Sequence, residues 1–588
     1  MNVLGINEGH MCSAALIKDG KLVAAASEER FTRNKNQQGF PENAINFCLK
    51  HGNLSVGDID YVSTASLELL PSFEATKRYE NFTIFDYVKE NELYWKPKLL
   101  ENKDVNYLQF FKTKHNKHYD FSFLQNESDP NKLFELFRRE RVKNIQRTFK
   151  ITEDRIIFVD HHKGHACYAY YMSPFRKNVL VLTVDAWGDG CNSSISIGNG
   201  NNLVLKFKTP NNNLARLYRN MTLFLGMKPN EHEYKVMGLA PYATEYQMKK
   251  PYEIFSKTLQ NDGIDFKYEQ KPSDNYYWYS ERLQGCRFDG IAGALQKYVE
   301  EIMSTWVSNA IKKYDCKTIV LSGGMALNIK INKIISELPE VQEIFVAGGG
   351  GDESQSIGSA LYVAMKLSHD EIHAPMHDYH GPLMDTENFE HELRSSGIRN
   401  DFVVKDNVDS KEIAELLKND FIVARCSGRS EFGPRALGNR SILANPSNVE
   451  NVKKINNQIK YRDFWMPFTP SILIDRVQDY VENPKNLDSP FMTMAFGSTS
   501  LAKKDLIAAL HPADLTLRPQ FVRKETNQGY YELIKNFEKL TGIGGLLNTS
   551  LNLHGEPIVG NIKDALHTLK ESDLDAMIIE NKLLLRKK

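Results

Sequence analysis

The chain has 588 residues, too many for one hydrophobic core, so two or more domains are expected. Hydrophobic residues make up 41% and charged residues 25%, ordinary values for a soluble globular protein. Lysine plus arginine number 74, as do aspartate plus glutamate, which removes any global attraction to nucleic acid or an anionic membrane.

Seven cysteines are scattered without a CxxC pair, the pattern of reduced thiols in a cytoplasm. The start has no basic segment leading into an apolar core, and no apolar run reaches membrane-spanning length. A cytoplasmic protein with no membrane and no nucleic-acid partner is expected.

In chain order, Val3 to Ile6 is a short apolar strand. Ser13 to Lys18 and Leu22 to Ala26 form a hairpin across Asp19-Gly20. The first two strands are joined by the polar turn Asn7-Glu8-Gly9-His10, where backbone N–H groups can hold a phosphate. About 66–150 is rich in Asn, Lys, Phe and Tyr and is predicted to be a largely helical insertion. Ile156 to Val159 is a buried strand. It runs into Asp160-His161-His162-Lys163-Gly164-His165 and then a helix. His161 and His165 are four apart and share a helix face, a common way to hold Zn, Fe, Ni or Mn. Equally, the run can be a helix start that carries solvated histidines.

Further strands are predicted at Val179 to Val184, Ser194 to Ile197, Thr318 to Leu321 and Glu343 to Val346. Most end in glycine-rich turns, where ligands of α/β folds gather. One turn holds Asp185, Gly188, Asp189 and Gly190. A second holds Ser322-Gly323-Gly324 and Asn328, and a third holds Gly348 to Gly351 before Asp352. Together they predict a split nucleotide and phosphate site, with Asp352 as a third ligand beside His161 and His165. Each alone is an ordinary tight turn. There is no G-x-x-x-x-G-K-[ST], no G-x-G-x-x-G after the first strand and no H-E-x-x-H, which excludes a P-loop NTPase and a zincin protease and argues against a Rossmann dehydrogenase.

Between about 368 and 382 the chain is polar, with His369, His373, His377 and His380, and is predicted to be a solvated linker. The domains expected are 1–367 and 383–588. In the second, a strand from Phe421 to Ala424 precedes a loop with Arg425, Arg429, Arg435 and Arg440. If Lys460-x-Arg462 and Ser550-x-Asn552 lie on strands, alternation puts each pair on one face. With Arg435 and Arg518 they would hold a phosphate and a small carbonyl group. A surface loop with ordinary salt bridges is the plain alternative.

These motifs, in this order, resemble the O-carbamoyltransferases of the NodU/CmcH type. The resemblance rests on Gly5-Ile6-Asn7 to Ala15, Ser27 to Phe31, His161-His162-x-x-His165-Ala166, Glu233-x-Lys235 to Ala240, Ser322-Gly323-Gly324, Glu431 to Gly438 and Asn548-Thr549-Ser550. It implies an α/β fold: an actin/Hsp70-like (ASKHA) TsaD-like first domain with the helical insertion, and a YrdC-like second domain. It also implies that carbamoyl phosphate and ATP, with Mg2+, form carbamoyl-adenylate on the second domain. The intermediate would pass inside the protein to the first domain, and the carbamoyl group to a hydroxyl of a small natural product or sugar.

By resemblance, His161, His165 and Asp352 would bind Fe2+ or another divalent metal. Lys460, Arg462, Ser550 and Asn552 match the K-x-R and S-x-N pairs of YrdC-like sites, and Arg435 and Arg518 match arginines on phosphate or carbamoyl. The chain departs from the pattern at Ala186-Trp187, where small residues are usual. His10 is a candidate base for the acceptor hydroxyl, against a plain turn histidine. The rival readings are tRNA threonylcarbamoyladenosine synthesis and a non-catalytic nucleotide-binding regulator. A homodimer is compatible with the sequence, and the acceptor is not readable from it.

Overall fold

The computed structural model describes residues 1–368, 372 and 375–587; His369 and His373 of the expected linker lie outside the described residues. The chain divides into two units, Met1–Glu29 with Asn36–Ala374, and Arg30–Lys35 with Pro375–Lys588.

The first unit is built on two five-stranded sheets. One holds β1 (Asn2–Asn7), β2 (Ser13–Lys18), β3 (Lys21–Ser27), β4 (Tyr61–Ala65) and β5 (Ile156–Val159) in the order β3-β2-β1-β4-β5. β1 to β3 are antiparallel, and β4 and β5 extend β1 in parallel, with Gly5 opposite both Ala15 and Ser63. The Asp19-Gly20 turn takes positive φ at both residues, 50° and 74°, as the two-residue hairpin requires. Residues 66–155 carry helices and no strand, as expected.

The second sheet holds β6 (Val179–Gly188), β7 (Cys191–Asn199), β8 (Asn202–Thr209), β11 (Thr318–Ser322) and β12 (Glu343–Val346); β9 (Leu259–Asp262) and β10 (Asp265–Tyr268) form a separate hairpin. Its order, β8-β7-β6-β11-β12, repeats the first sheet: an antiparallel meander extended by two parallel strands. This duplicated α/β arrangement is that of the actin/Hsp70 class.

Each fifth strand is followed by a helix, His161–Met172 after β5 and Gln355–Ser368 after β12. The two pack at very short range. A Cβ on Gly358 would lie 2.0 Å from the Gly164 carbonyl oxygen. Only glycine permits that approach, and it brings the starts of both helices together.

The second unit has one mixed eight-stranded sheet. Its strands are β13 (Phe402–Lys405), β14 (Val423–Cys426), β15 (Arg440–Ala444), β16 (Thr469–Leu473), β19 (Gln520–Val522), β20 (Gly545–Ser550), β21 (Ala576–Ile579) and β22 (Lys582–Arg586). Their order is β13-β22-β21-β14-β15-β20-β16-β19; β17 (Val481–Glu482) and β18 (Gly497–Ser498) pair apart from it. Ile442, Leu547, Met577 and Leu584 are among the fully buried core residues. The segment Arg30–Lys35 belongs here through bonds from Arg30 to the Gly433 carbonyl and from Arg33 to the Ile558 and Pro557 carbonyls.

The solvated-linker reading fails after Pro375. Asp378 and His380 are buried, and Arg429 donates to the His380 and Gly381 carbonyls. Polarity misled here because a polar segment can be buried once its backbone is bonded inside the unit, as the His380 and Gly381 carbonyls are by Arg429. Among the described residues, no helix is long and apolar enough to cross a membrane. None of the seven cysteines forms a disulfide.

Candidate functional site

In the first unit the helix His161–Met172 starts where β5 ends. Asp160 caps it by accepting from the Lys163 N–H. On this helix His161 and His165 point the same way, with ring centroids 4.7 Å apart. His162 turns to β6, where Nδ1 lies 2.7 Å from Thr183 Oγ1. Burial, with His161 and His165 nearby, pushes its pKa down to about 3.

Two carboxylates close on the histidine pair. His165 Nε2 is 3.3 Å from Asp185 Oδ2 and 3.5 Å from Asp352 Oδ1; His161 Nε2 is 3.9 and 3.6 Å from the same atoms. The four ligand atoms lie within 4.8 Å of one another. Zinc and ions like it hold nitrogen and oxygen at about 2.0–2.2 Å, spacing neighbouring ligand atoms by roughly 3–4 Å. The donor set therefore fits a divalent cation.

A second observation agrees. His161 Nε2, His165 Nε2 and Asp352 Oδ1 are buried without a hydrogen-bond partner, a costly state that coordination would relieve. The other ring nitrogens are held from behind. Ser66 Oγ lies 2.9 Å from His161 Nδ1, and Ser322 and Ser354 Oγ lie 3.3 and 3.4 Å from His165 Nδ1. With Nδ1–H donating to a hydroxyl, Nε2 keeps its lone pair toward the cluster. Burial opposes the charged imidazolium of His161, but Asp185 and Asp352 override it and hold the pKa up to about 9.

Several of the residues read as a nucleotide site also support this cluster. Asp185 is a ligand candidate and also accepts the Gly324 N–H at 2.8 Å. Ser322 backs His165. A Cβ on Gly188 would lie 2.2 Å from the His161 ring, so Gly188 makes room for the imidazole. Asp189 spends its carboxylate on the backbone N–H groups of Leu67, Glu68 and His161, and with Gly190 it turns β6 into β7. Asn328 caps the next helix and pairs with Gln296. Gly323 approaches the β6 backbone at Val184. The Asp189 carboxylate and the Asn328 amide are thus engaged within the fold, and Gly188 and Gly190 shape the turn beside His161. Asp185 escaped notice as a ligand because an Asp before a Gly-containing turn has no spacing relation to a distant histidine pair.

His10 stands beside the cluster, with Nδ1 3.8 Å from Asp352 Oδ2 and its ring 4.6 Å from Tyr79. Burial lowers its pKa, against the pull of Asp352. Its turn is tied down by Asn7, whose Nδ2 donates to the His10 and Asp352 carbonyls. Behind it, Glu8 is buried against Arg141, at 2.7 Å, and Tyr119. Arg141 also donates to the Ser66 carbonyl. No sequence signal pointed to Arg141 or Ser66.

In the second unit Lys460, Ser550 and Asn552 meet. Lys460 Nζ donates to the Ser550 and Asn552 carbonyls and to Asn552 Oδ1, and Ser550 Oγ donates to Asn552 Oδ1. The strand premise for Lys460-x-Arg462 is wrong. Lys460 ends a helical turn, and Tyr461 then takes a left-handed φ of 48°. Ser550 ends β20, and Asn552 lies just beyond it. Arg462 Nη1 donates to Thr549 Oγ1 and its guanidinium lies over Phe468. Arg518 sits in the field of Arg435 and Arg462. Burial and these two cations pull its pKa well down, and burial does the same to Lys460. Gathered, desolvated cations cost free energy that a bound polyanion offsets.

Comparison with known proteins decides the family. The model for the carbamoyltransferase N-terminus matches residues 2–361, and that for the carbamoyltransferase C-terminus matches 414–587. The chain belongs to the carbamoyltransferase family. This carbamoyltransferase is 31% identical to the uncharacterized protein MJ1051 of Methanocaldococcus jannaschii, over 99% of both chains. It is 29% identical to the nodulation protein NolNO of Sinorhizobium fredii, over 98% of this chain and 79% of that one. Among solved structures, component A of (R)-2-hydroxyglutaryl-CoA dehydratase from Acidaminococcus fermentans aligns at 14% identity and TM-score 0.31, covering 63% of this chain and 99% of that one.

Proposed function

We propose that this carbamoyltransferase works in two stages, forming carbamoyl-adenylate on its second unit and transferring the carbamoyl group to a small hydroxylated acceptor on its first. The observation that carries the reading is chemical contrast between the two sites. One gathers the desolvated Lys460 and Arg518 with Arg435 and Arg462; the other gathers two imidazoles and two carboxylates.

In the first stage water converts carbamoyl phosphate to carbamate and phosphate. A carbamate oxygen then attacks the α-phosphorus of ATP, with Mg2+, and pyrophosphate leaves. The arginines offset charge developing on phosphate oxygens, while Ser550 and Asn552 orient the Lys460 ammonium. In the second stage the acceptor oxygen attacks the carbamoyl carbon, and the bond to AMP breaks. His10, whose pKa burial lowers, would take the hydroxyl proton. A divalent ion such as Fe2+ on His161, His165, Asp185 and Asp352 would supply Lewis acidity toward phosphate oxygens.

The test is pyrophosphate release from ATP and carbamoyl phosphate, with transfer scored separately on hydroxylated small molecules. Lys460→Ala should abolish both. His161→Ala should keep pyrophosphate release and stop transfer; wild-type transfer by that variant would remove the cluster from the reaction. Dependence on threonine and bicarbonate instead of carbamoyl phosphate would point to tRNA threonylcarbamoyladenosine synthesis.

A further inference from the structure

Beside the ligand cluster the first unit carries an aromatic and cationic face to which neither stage above assigns a role. Trp187 stands two residues after Asp185 at the end of β6 and is 44% exposed. The helix Leu214–Phe224 packs on β6 and offers Arg216 and Arg219, three residues apart and so on neighbouring positions of one face. The Arg216 guanidinium lies 4.4 Å from the Trp187 ring centroid. Arg219 lies in the field of Arg216 and of Tyr79, which stacks on His10. Trp187 thus stands two residues from a cluster carboxylate, with Arg216 over its ring and Arg219 at the neighbouring position of the helix.

Among the described residues, neither guanidinium has a hydrogen bond or an ion pair. The carboxylates nearest in effect are committed elsewhere. Glu90 is held in two bonds by Arg78 and accepts from Tyr107, and Glu233 accepts the Asn230 N–H. Burial, with Arg219 beside it, pushes the Arg216 pKa down to about 10. Two neighbouring guanidiniums, neither holding a hydrogen bond or ion pair among the described residues, suit an anion from outside. The exposed indole offers a flat apolar face for a ring.

Resting on the carbamoyl-transfer reading, we propose that Trp187, Arg216 and Arg219 form the acceptor subsite, and that the acceptor is a ring compound bearing an anionic group. The same cations would suit the adenylate phosphate, so the test separates the two. Calorimetry on the full chain would compare methyl glucuronide, methyl glucoside and methyl glucosaminide, one ring in three charge states, with AMP in parallel.

The glucuronide should bind at least about tenfold tighter than the glucosaminide. Arg216→Gln and Arg219→Gln should erase that preference, Arg216→Lys should retain most of it, and Trp187→Ala should weaken all three sugars alike. Equal or better binding of the glucosaminide, binding of none of the three, or loss of AMP affinity in place of sugar preference would each overturn the proposal. Sugar binding needs no turnover. A failure of the two-stage reading would therefore register separately, as absent pyrophosphate release.

Discussion

Gly188 and His161 illustrate how one missing methyl group sets the geometry of a candidate metal ligand. The His161 ring occupies the space a Cβ at 188 would need. Gly188→Ala should swing the imidazole off the cluster and weaken metal affinity by about 10–100-fold, the usual cost of disturbing a ligand's support. Calorimetric titration with Zn2+ would read this, and circular dichroism should stay that of the parent. At this scale the histidine pair was legible because helix periodicity alone aligns residues four apart. Asp185 and the serines behind the imidazoles were not, since their proximity comes from tertiary approach across 66 to 354. The Lys460–Ser550–Asn552 group was legible as a set. Its local geometry was not, because the left-handed residue is Tyr461 rather than glycine.

The helical insertion does more than fill sequence between β4 and β5. From its long helix, Pro130–Phe149, Arg141 reaches Glu8, Thr64 and the Ser66 carbonyl, bracing both the His10 turn and the residue behind His161. Arg141→Met leaves Glu8 buried without its cation and should cost about 3–5 kcal/mol. Adding Glu8→Leu should return much of that stability without restoring transfer. Denaturant unfolding and activity, measured together, check the pair.

The same insertion carries Glu74, whose burial raises its pKa from 4.5 to about 8. The folded state thus favours the protonated acid. Its contribution is fully present below pH 4.5 and is lost as pH rises toward 8, at up to about 1.4 kcal/mol per pH unit. Glu74→Gln should flatten that decline, so parent and variant diverge between pH 5 and 8 in thermal unfolding. The insertion's helical character was readable from composition and periodicity. Its bracing role was not, because Arg141 on a helix looks like any solvated surface arginine until Glu8 is placed beneath it.

At the scale of the whole chain, the first unit is a duplication that left no trace as a sequence repeat. A strand order can recur while only the apolar pattern of its strands is kept, and many residues satisfy that pattern. The strands themselves were legible from their apolar runs and turn residues. The pairing of β1 with β4 and of β6 with β11 was not, since each joins segments far apart. The assignment of Arg30–Lys35 to the second unit had no local signal either.

The duplication also has a thermodynamic meaning. One copy contributes both imidazoles and the other both carboxylates, and they face each other where Gly164 meets Gly358. Neither copy alone owns a complete coordination set, so an ion held there would act as a clasp, its loading linked to the union of the copies. Above the dissociation constant, each tenfold rise in free Zn2+ should add about 1.4 kcal/mol to unfolding stability. The melting temperature of the parent should therefore climb with metal activity, while that of the His161→Ala variant should respond weakly. Equal slopes would mean that the ion binds somewhere else.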